Sequence, residues 1–340
     1  MGEDNAVMCL ILTLNAGSTS LKYGLYRADG DACETVESAE AEGNDPAAIE
    51  AQLSAWPAPD VVGHRIVHGG AKVREHCVID AAVMADLEAA TALAPLHVPP
   101  ALAGVRFARR RYPNAPQVAC LDTAFHAGMP DVAKTYPLPD DIRAAGVVRY
   151  GFHGLSCASI VRQLGAGIPE RLVIAHLGGG CSVTAVKSGR SIDTTMGLTP
   201  SGGMMMATRS GDLDPGVLIY LMRERGMDAD ALEVMIDKRS GLRGVSARSG
   251  DMRELHEHPD AASGLAVAMF ARAAAKAIAA MMTSLGGADL LVFTGGVGEH
   301  DAATRDAIVE AVSWADVGEA RVLPSLEDEE IARIASRFVA

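Results

Sequence analysis

Aromatic side chains make up only 4% of this 340-residue chain, and positive charge is in deficit: 30 Lys and Arg face 43 Asp and Glu, a formal net charge of −13. That sign is wrong for nucleic-acid phosphates, so no nucleic-acid partner is expected. A small anion is not excluded, because local arginines set the field in a cleft. Cysteine is sparse, at positions 9, 33, 77, 120, 157 and 181, with no CxxC pair and no metal-ligand spacing. Reduced thiols are the expectation. The opening MGEDNAV is acidic ahead of its apolar run, the reverse of a secretion signal. No uncharged apolar run reaches membrane-spanning length, since Arg272 and Lys276 interrupt the Ala-rich stretch. A cytoplasmic protein with no membrane partner is expected.

What is present points to a compact α/β enzyme: 49% apolar residues, 35 glycines, and enough length for two domains. The stretch 171–215 organises the rest. The apolar run Leu172 to Ala175 reads as a buried strand, Gly178, Gly179 and Gly180 follow, and SVTAVK (182–187) resumes strand character. Three glycines permit a tight reversal and free backbone N–H groups to face one anion. An ordinary hairpin would look the same. However, Leu10 to Leu14, the turn NAGSTS (15–20) and Leu21 to Tyr26 repeat the pattern near the start, with Lys22 on the second strand. Paired units of this kind suggest a duplicated domain. A third glycine turn is expected at Gly295 to Gly298, after the strand Leu290 to Phe293. It is not a Rossmann fingerprint, because a third glycine is missing, and no GxxxxGK followed by Ser or Thr occurs.

Elsewhere, the segment from Asp29 to Pro59 is acidic and Ala-rich, with a helix start at Asp45-Pro46. Val61 to Val67 and Val118 to Leu121 read as strands, the latter delivering Asp122 at its tip. Helices are expected over 81–94, from Pro99 to about Arg111, from Asp214-Pro215 to Gly226, over 261–285 and from Asp301 through Val312. Met269, Ile278, Met281, Met282 and Leu285 are expected in the core.

The blocks NAGSTSLKY (15–23), GHRIVHGG (63–70), APLHVPPAL (94–102), DTAFH (122–126), RYGFHGLS (149–156), HLGGGCSVTAVKSGRSIDTTMGLTP (176–200), TRSGDLDP (208–215), SGDMRE (249–254) and FTGGVGEH (293–300) occur in the order of the acetate kinases, and the chain resembles that family from about Leu10 onward. The resemblance implies a duplicated ribonuclease H-like fold, as in actin, Hsp70 and sugar kinases, with an interdomain cleft. The first domain is expected over 1–148 and the second over 149–340, with the final stretch packing back on the first. It also implies Mg²⁺, ATP and ADP as co-substrates, acetate or another short-chain acid as acceptor, and a homodimer.

Phosphoryl transfer to a carboxylate needs charge neutralisation more than covalent help. Arg65 and Arg209 sit in Gly-flanked loops, and a guanidinium fork suits carboxylate or phosphate oxygens; a surface ion pair is the plain alternative. By resemblance, Arg65 contacts the acetate carboxylate, Arg209 and His153 stabilise the transferring group, and Asp122 is the essential aspartate. Acetate is already ionised at neutral pH, so Asp122 would hold Mg²⁺ or its water rather than act as a base. Asn15 and Glu327 are the implied metal residues, with Glu329 as a rival. His176, Leu177, Gly178, Gly179 and Gly180 would face the nucleotide phosphates, with Lys22 reaching them from its strand. Asp251, Met252 and Arg253, with Gly296, Val297, Gly298, Glu299 and His300, would surround the adenosine. Val67, Leu96, Phe152 and Pro200 would line the acyl pocket.

Departures from the family pattern fall at Gly179 (for Asn), His300 (for Asn), Val98, Pro100, Cys157 and Ala268, and the chain is short near 30–60 and 310–322. They motivate one alternative, a catalytically weak nucleotide-binding regulatory protein of the same fold; a propionate or butyrate kinase of the same family is the other. A polymerising actin-like protein would need no arginine–histidine cluster.

Overall fold

A computed structural model describes residues 8–17, 20–29, 32–43 and 45–339. The chain forms two compact units. Unit 1 comprises 1–127, 154–159 and 326–340; unit 2 comprises 128–153 and 160–325. The segment 128–153 therefore sits with unit 2, whereas a single boundary near 148 would assign most of it to the first domain.

Unit 1 contains β1 (Cys9–Ala16), β2 (Ser20–Asp29), β3 (Ala32–Glu42), β4 (Val61–Ile66), β5 (Cys77–Val78) and β6 (Gln117–Leu121) in the order β3-β2-β1-β4-β6-β5. Unit 2 contains β7 (Arg171–Leu177), β8 (Cys181–Lys187), β9 (Arg190–Thr194), β10 (Leu290–Thr294) and β11 (Glu319–Val322) in the order β11-β10-β7-β8-β9. The two sheets share one plan. An antiparallel meander of three strands continues, from its first strand, into parallel neighbours: β1 beside β4 and β6, β7 beside β10 and β11. Even the register shift recurs, at Leu25/Tyr26 between β2 and β3 and at Ala185/Val186 between β8 and β9. Both expected hairpins form, although Ser18 and Thr19 of the first turn lie outside the described residues.

Strands β4, β6, β7 and β10 are buried almost throughout, as parallel strands covered on both faces must be. Strand β3 is the opposite, and the sequence reading missed it. Ala39 and Ala41 pack inward while Glu40 and Glu42 alternate with them, so a strand at the sheet edge needs only a thin apolar stripe.

Most helices start where local chemistry says they should. Asp80, Asp214, Asp260 and Asp301 each accept a backbone N–H of the first turn, and Gly226 and Gly286 close their helices in the left-handed region. In the helix Ala261–Leu285, Ala266, Phe270, Ala274, Ile278 and Met282 form a buried stripe against β7 and β8. Met269, expected in the core, is off this stripe and 41% exposed. By length and composition this helix could cross a membrane, its charges at Arg272 and Lys276 notwithstanding, yet this stripe packs into unit 2. Gly295 to Gly298 is also a correction: these glycines open a short helix, Gly295–His300, rather than a turn.

The C-terminal helix Glu327–Ser336 packs on β1, β2 and β4 of unit 1. Its approach depends on Gly63 in β4, where a Cβ would come within 2.7 Å of Ile331 Cγ2. Ile331 is fully buried, worth about 1.5–3 kcal/mol. This anchoring fixes the acidic first turn of the helix, whereas strand β11, in the stretch expected to return to the first domain, pairs with β10 in unit 2.

Candidate active site

In unit 1 the candidate residues gather at the carboxyl ends of neighbouring strands, where open α/β sheets place their ligands. Asn15 lies near the end of β1, Arg65 near the end of β4, and Asp122 directly after β6. The Asp122 N–H donates to the Ile66 carbonyl at 3.0 Å, continuing the β4–β6 ladder into the site. Arg65 Nε and Nη2 both donate to Asp122 Oδ2, at 3.0 and 2.7 Å, and Nη1 donates to Asn15 Oδ1 at 3.2 Å. Asn15 Nδ2 in turn donates to Asp328 Oδ1 at 2.7 Å. Asp328 was not among the expected site residues; only its place beside Glu327 in the acidic run could have flagged it.

Electrostatics bind this group together. Burial pushes the Asp122 carboxyl above its ordinary range, Arg65 pulls it back down and Glu327 adds to the rise. Burial opposes the charge of Arg65, but Asp122, Glu327 and Asp328 more than offset it, and its pKa is raised. Burial likewise raises Asp328, with Glu327 adding to the rise and the hydrogen bond from Asn15, Lys22 and Arg65 countering it. Asp122 Oδ1 is buried and accepts no hydrogen bond among the described residues. Lys22, exposed on β2, pairs in register with Asn15. Glu329 is engaged elsewhere, in an ion pair with Arg333 one helical turn on.

Unit 2 holds a different constellation. His153 adopts a left-handed conformation (φ 57°) that β-carbon-bearing residues seldom use. Its Nδ1 lies 3.0 Å from Ser182 Oγ, both buried, and its ring stacks on His176 with centroids 4.2 Å apart. Ser182 is opposite His176 in the β7–β8 register, so the length of the glycine turn sets which hydroxyl meets His153. That register was the signal from which Ser182 could have been found.

Gly180 is where His153 and Arg209 meet. A Cβ on it would lie 3.2 Å from His153 Nε2 and 3.3 Å from Arg209 Nη1. Arg209 Nη1 also donates to the Pro200 carbonyl at 3.4 Å, and the arginine's own carbonyl accepts from Met206 N–H at 3.0 Å. Of the glycine N–H groups expected to face an anion, that of Gly178 is used within the turn, donating to Gly180 O at 3.1 Å. Gly179 O accepts from Ala207 N–H at 3.3 Å.

The other nucleotide candidates share this neighbourhood. A Cβ on Gly178 would come within 3.5 Å of Gly296 N, and one on Gly295 (φ 78°) within 3.1 Å of His176 Nε2. Gly250, next to Asp251, packs on Ala207. Four side chains, however, are turned to structural work. Asp251 caps its own helix and pairs with Arg253 Nη2 at 2.7 Å, and Met252 is buried. Glu299 Oε1 accepts from the N–H groups of Gly295 and Ser325 at 2.9 and 3.0 Å. His300 is exposed and Leu177 fully buried, so Leu177 can offer only backbone. Of the acyl-pocket residues, buried Val67 and half-buried Leu96 belong to unit 1, and Phe152 and Pro200 to unit 2.

Two α/β sheets on one duplicated plan define the two-domain fold class of actin and sugar kinases. The profile of the acetokinase family matches residues 50–320, and the chain belongs to that family. It is 39% identical to the acetate kinase of Acaryochloris marina over 96% of this chain and 94% of that protein. The acetate kinase of Deinococcus deserti is 43% identical over 88% of this chain and 85% of its own. Among solved structures, Porphyromonas gingivalis acetate kinase superposes with TM-score 0.84 at 32% identity, covering 98% of this chain and 100% of that one. A propionate kinase from Francisella tularensis gives 0.86 at 31%, covering 97% and 100%.

Proposed function

We propose that this chain is an acetate kinase, transferring the γ-phosphoryl of ATP reversibly to acetate to give acetyl phosphate and ADP. An acetate oxygen attacks the γ-phosphorus as the bond to the ADP oxygen breaks, and no proton moves. Charge is what must be managed, since the phosphoryl and both oxygens are anionic. The observation that carries the reading is the convergence of His153 Nε2 and Arg209 Nη1 at Gly180, beside the glycine backbone of both nucleotide candidates. A bare glycine there lets two donors reach one phosphoryl, and their fixed directions need no reorganisation during transfer.

In unit 1 Asp122 is a carboxylate to be neutralised, not a base. Its orphan Oδ1, with Glu327 and Asp328 close enough to perturb it or Arg65, outweighs the one guanidinium, and such an oxygen-rich, anionic group suits Mg²⁺. Asn15, Asp122 and Glu327 are the residues that would hold it. Among the described residues no three acidic, His or Cys groups are close enough to coordinate a metal directly, which favours holding through water. Bound there, the ion would supply neutralisation of nucleotide phosphate charge. Arg65 fixes Asp122 and Asn15; serving as the acetate ligand as well would require Asn15 to cede Nη1.

Acetate is favoured over propionate and butyrate on the family relationship, although one methylene in an apolar pocket discriminates by only about 1–3 kcal/mol. Two further readings complete the proposal. The helix Pro215–Arg225 buries no residue, yet Val217, Ile219, Tyr220 and Met222 are 40–57% exposed, which supports a homodimer contact through unit 2. All six cysteines are free, which supports action in the reducing cytoplasm.

The test is hydroxamate trapping of acyl phosphate with ATP, Mg²⁺ and each acid in turn. Acetyl hydroxamate with the highest catalytic efficiency for acetate is expected. ATP binding without phosphorylation of any short-chain acid would overturn the reading in favour of a regulatory protein.

A further inference from the structure

Unit 1 contains a cavity of about 390 Å³ that the proposed reaction does not use. Its floor is apolar, formed by Leu121, Phe125, Leu155, Ile334 and Phe338. Two exposed charged residues line it, Glu75 and Arg337, and neither side chain is in an ion pair among the described residues. His76 lines it too. Its Nδ1 accepts the Leu121 N–H at 3.1 Å, so that nitrogen carries a lone pair. Burial, helped by the charge of Arg337, lowers the ring's pKa to about 4 and keeps it neutral near pH 7. Its proton must then sit on Nε2, a donor that no group takes up among the described residues.

We propose that this cavity binds a small zwitterion with an apolar body, of the class of α-amino acids with apolar side chains. The carboxylate is received by Arg337 and the Nε2–H of His76, the ammonium by Glu75, and the side chain by the apolar floor. Charge complementarity selects this class. A simple carboxylate leaves Glu75 facing a like charge, a simple amine does the same to Arg337, and an uncharged ligand leaves both unmatched. The volume sits low in the range for small-ligand sites, roughly 300–1,000 Å³, which suits an amino acid rather than a nucleotide. The walls also carry Asp122's backbone: Leu121 precedes it, and Gly154, another lining residue, donates its N–H to the Asp122 carbonyl at 2.8 Å.

Titration calorimetry of the full chain with L-phenylalanine, 3-phenylpropionate and phenethylamine tests this, repeated on Arg337→Gln, Glu75→Gln and Ala158→Phe. Saturable binding of L-phenylalanine is expected. Loss of either charged group, from ligand or protein, should weaken it about tenfold or more, the worth of a charge-assisted hydrogen bond. Ala158→Phe, which places a ring in the cavity wall, should abolish it. No saturable heat up to about 10 mM, a range that reaches millimolar dissociation constants, overturns the proposal. So does an affinity for either analogue equal to that for L-phenylalanine, or wild-type affinity in either charge variant or in Ala158→Phe. Binding alone is read, so the result is independent of the acetate kinase reading.

Discussion

The two units are one scaffold used in two ways. Both run a three-strand meander into parallel strands, and both place their candidate residues around the first hairpin and the neighbouring strand end. Unit 1 works with side chains: Asp328, Asn15, Arg65 and Asp122 form a continuous chain of hydrogen bonds among buried and half-buried polar and charged groups. Unit 2 works with glycine backbone and two cationic or cation-capable heads, His153 and Arg209, aimed at Gly180. The hydrogen-bonded core is common to both; the chemistry was installed at the strand ends and in the loops that leave them.

The contrast predicts that damage in unit 2 removes rate, whereas damage in unit 1 also removes stability. The largest effect is expected for Arg209→Ala. It should lower kcat by about 10³ or more, as removal of a transition-state arginine does, with an unchanged circular dichroism melt. A near-normal rate in a coupled assay would break the comparison on its unit 2 side. Next comes Asp122→Ala. Stripping one partner from the buried pair with Arg65 should cost about 3–5 kcal/mol in denaturant unfolding, beyond the loss of activity. A variant as stable as the parent would show that unit 1's network is not holding that unit together.

A third, somewhat smaller effect concerns acid. His64 is fully buried, its Nε2–H donating to Gln117 Oε1 at 2.8 Å, and burial lowers its pKa from 6.5 to about 4. The unfolded chain therefore binds a proton that the folded chain refuses, and stability falls as pH drops from about 6.5 towards 4, by at most about 3 kcal/mol. His64→Gln should lack this component, so its melting temperature should gain on wild type as the pH is lowered through that window. Parallel pH profiles would rule it out. The smallest change is expected for Ser182→Ala, which leaves His153 its backbone conformation but removes the Nδ1 partner. About a tenfold loss in kcat, the net worth of one hydrogen bond, should come with little change in KM and a shifted pH profile. Restoration by Ser182→Thr would mark orientation of the ring as the cause.

Much of the frame could be read from local pattern. The two hairpins, the strands at Val61 and Val118, the aspartate-capped helices and their glycine stops each carry their signal within a few residues. Misreadings came where neighbours overrule such signals. Strand β3 is too polar to announce itself, and gains its place from pairing with β2. Gly295 to Gly298 look like a turn, but the carboxylate of Glu299 caps the Gly295 N–H and holds them as a helix. Glu329, the rival to Glu327 in the acidic run, pairs with Arg333 one turn along, a contact the run itself does not announce.

Amino-acid order by itself determined the duplicated plan, the family and the identity of the cations, because those rest on short motifs and on periods of two and 3.6 residues. Tertiary structure alone decided which groups touch. Asn15 meets Asp328 across 313 positions and Arg65 meets Asp122 across 57, and separations of that size leave no local trace in composition or period. Only sheet order and the anchored C-terminal helix, seated against Gly63, bring those atoms within bonding distance.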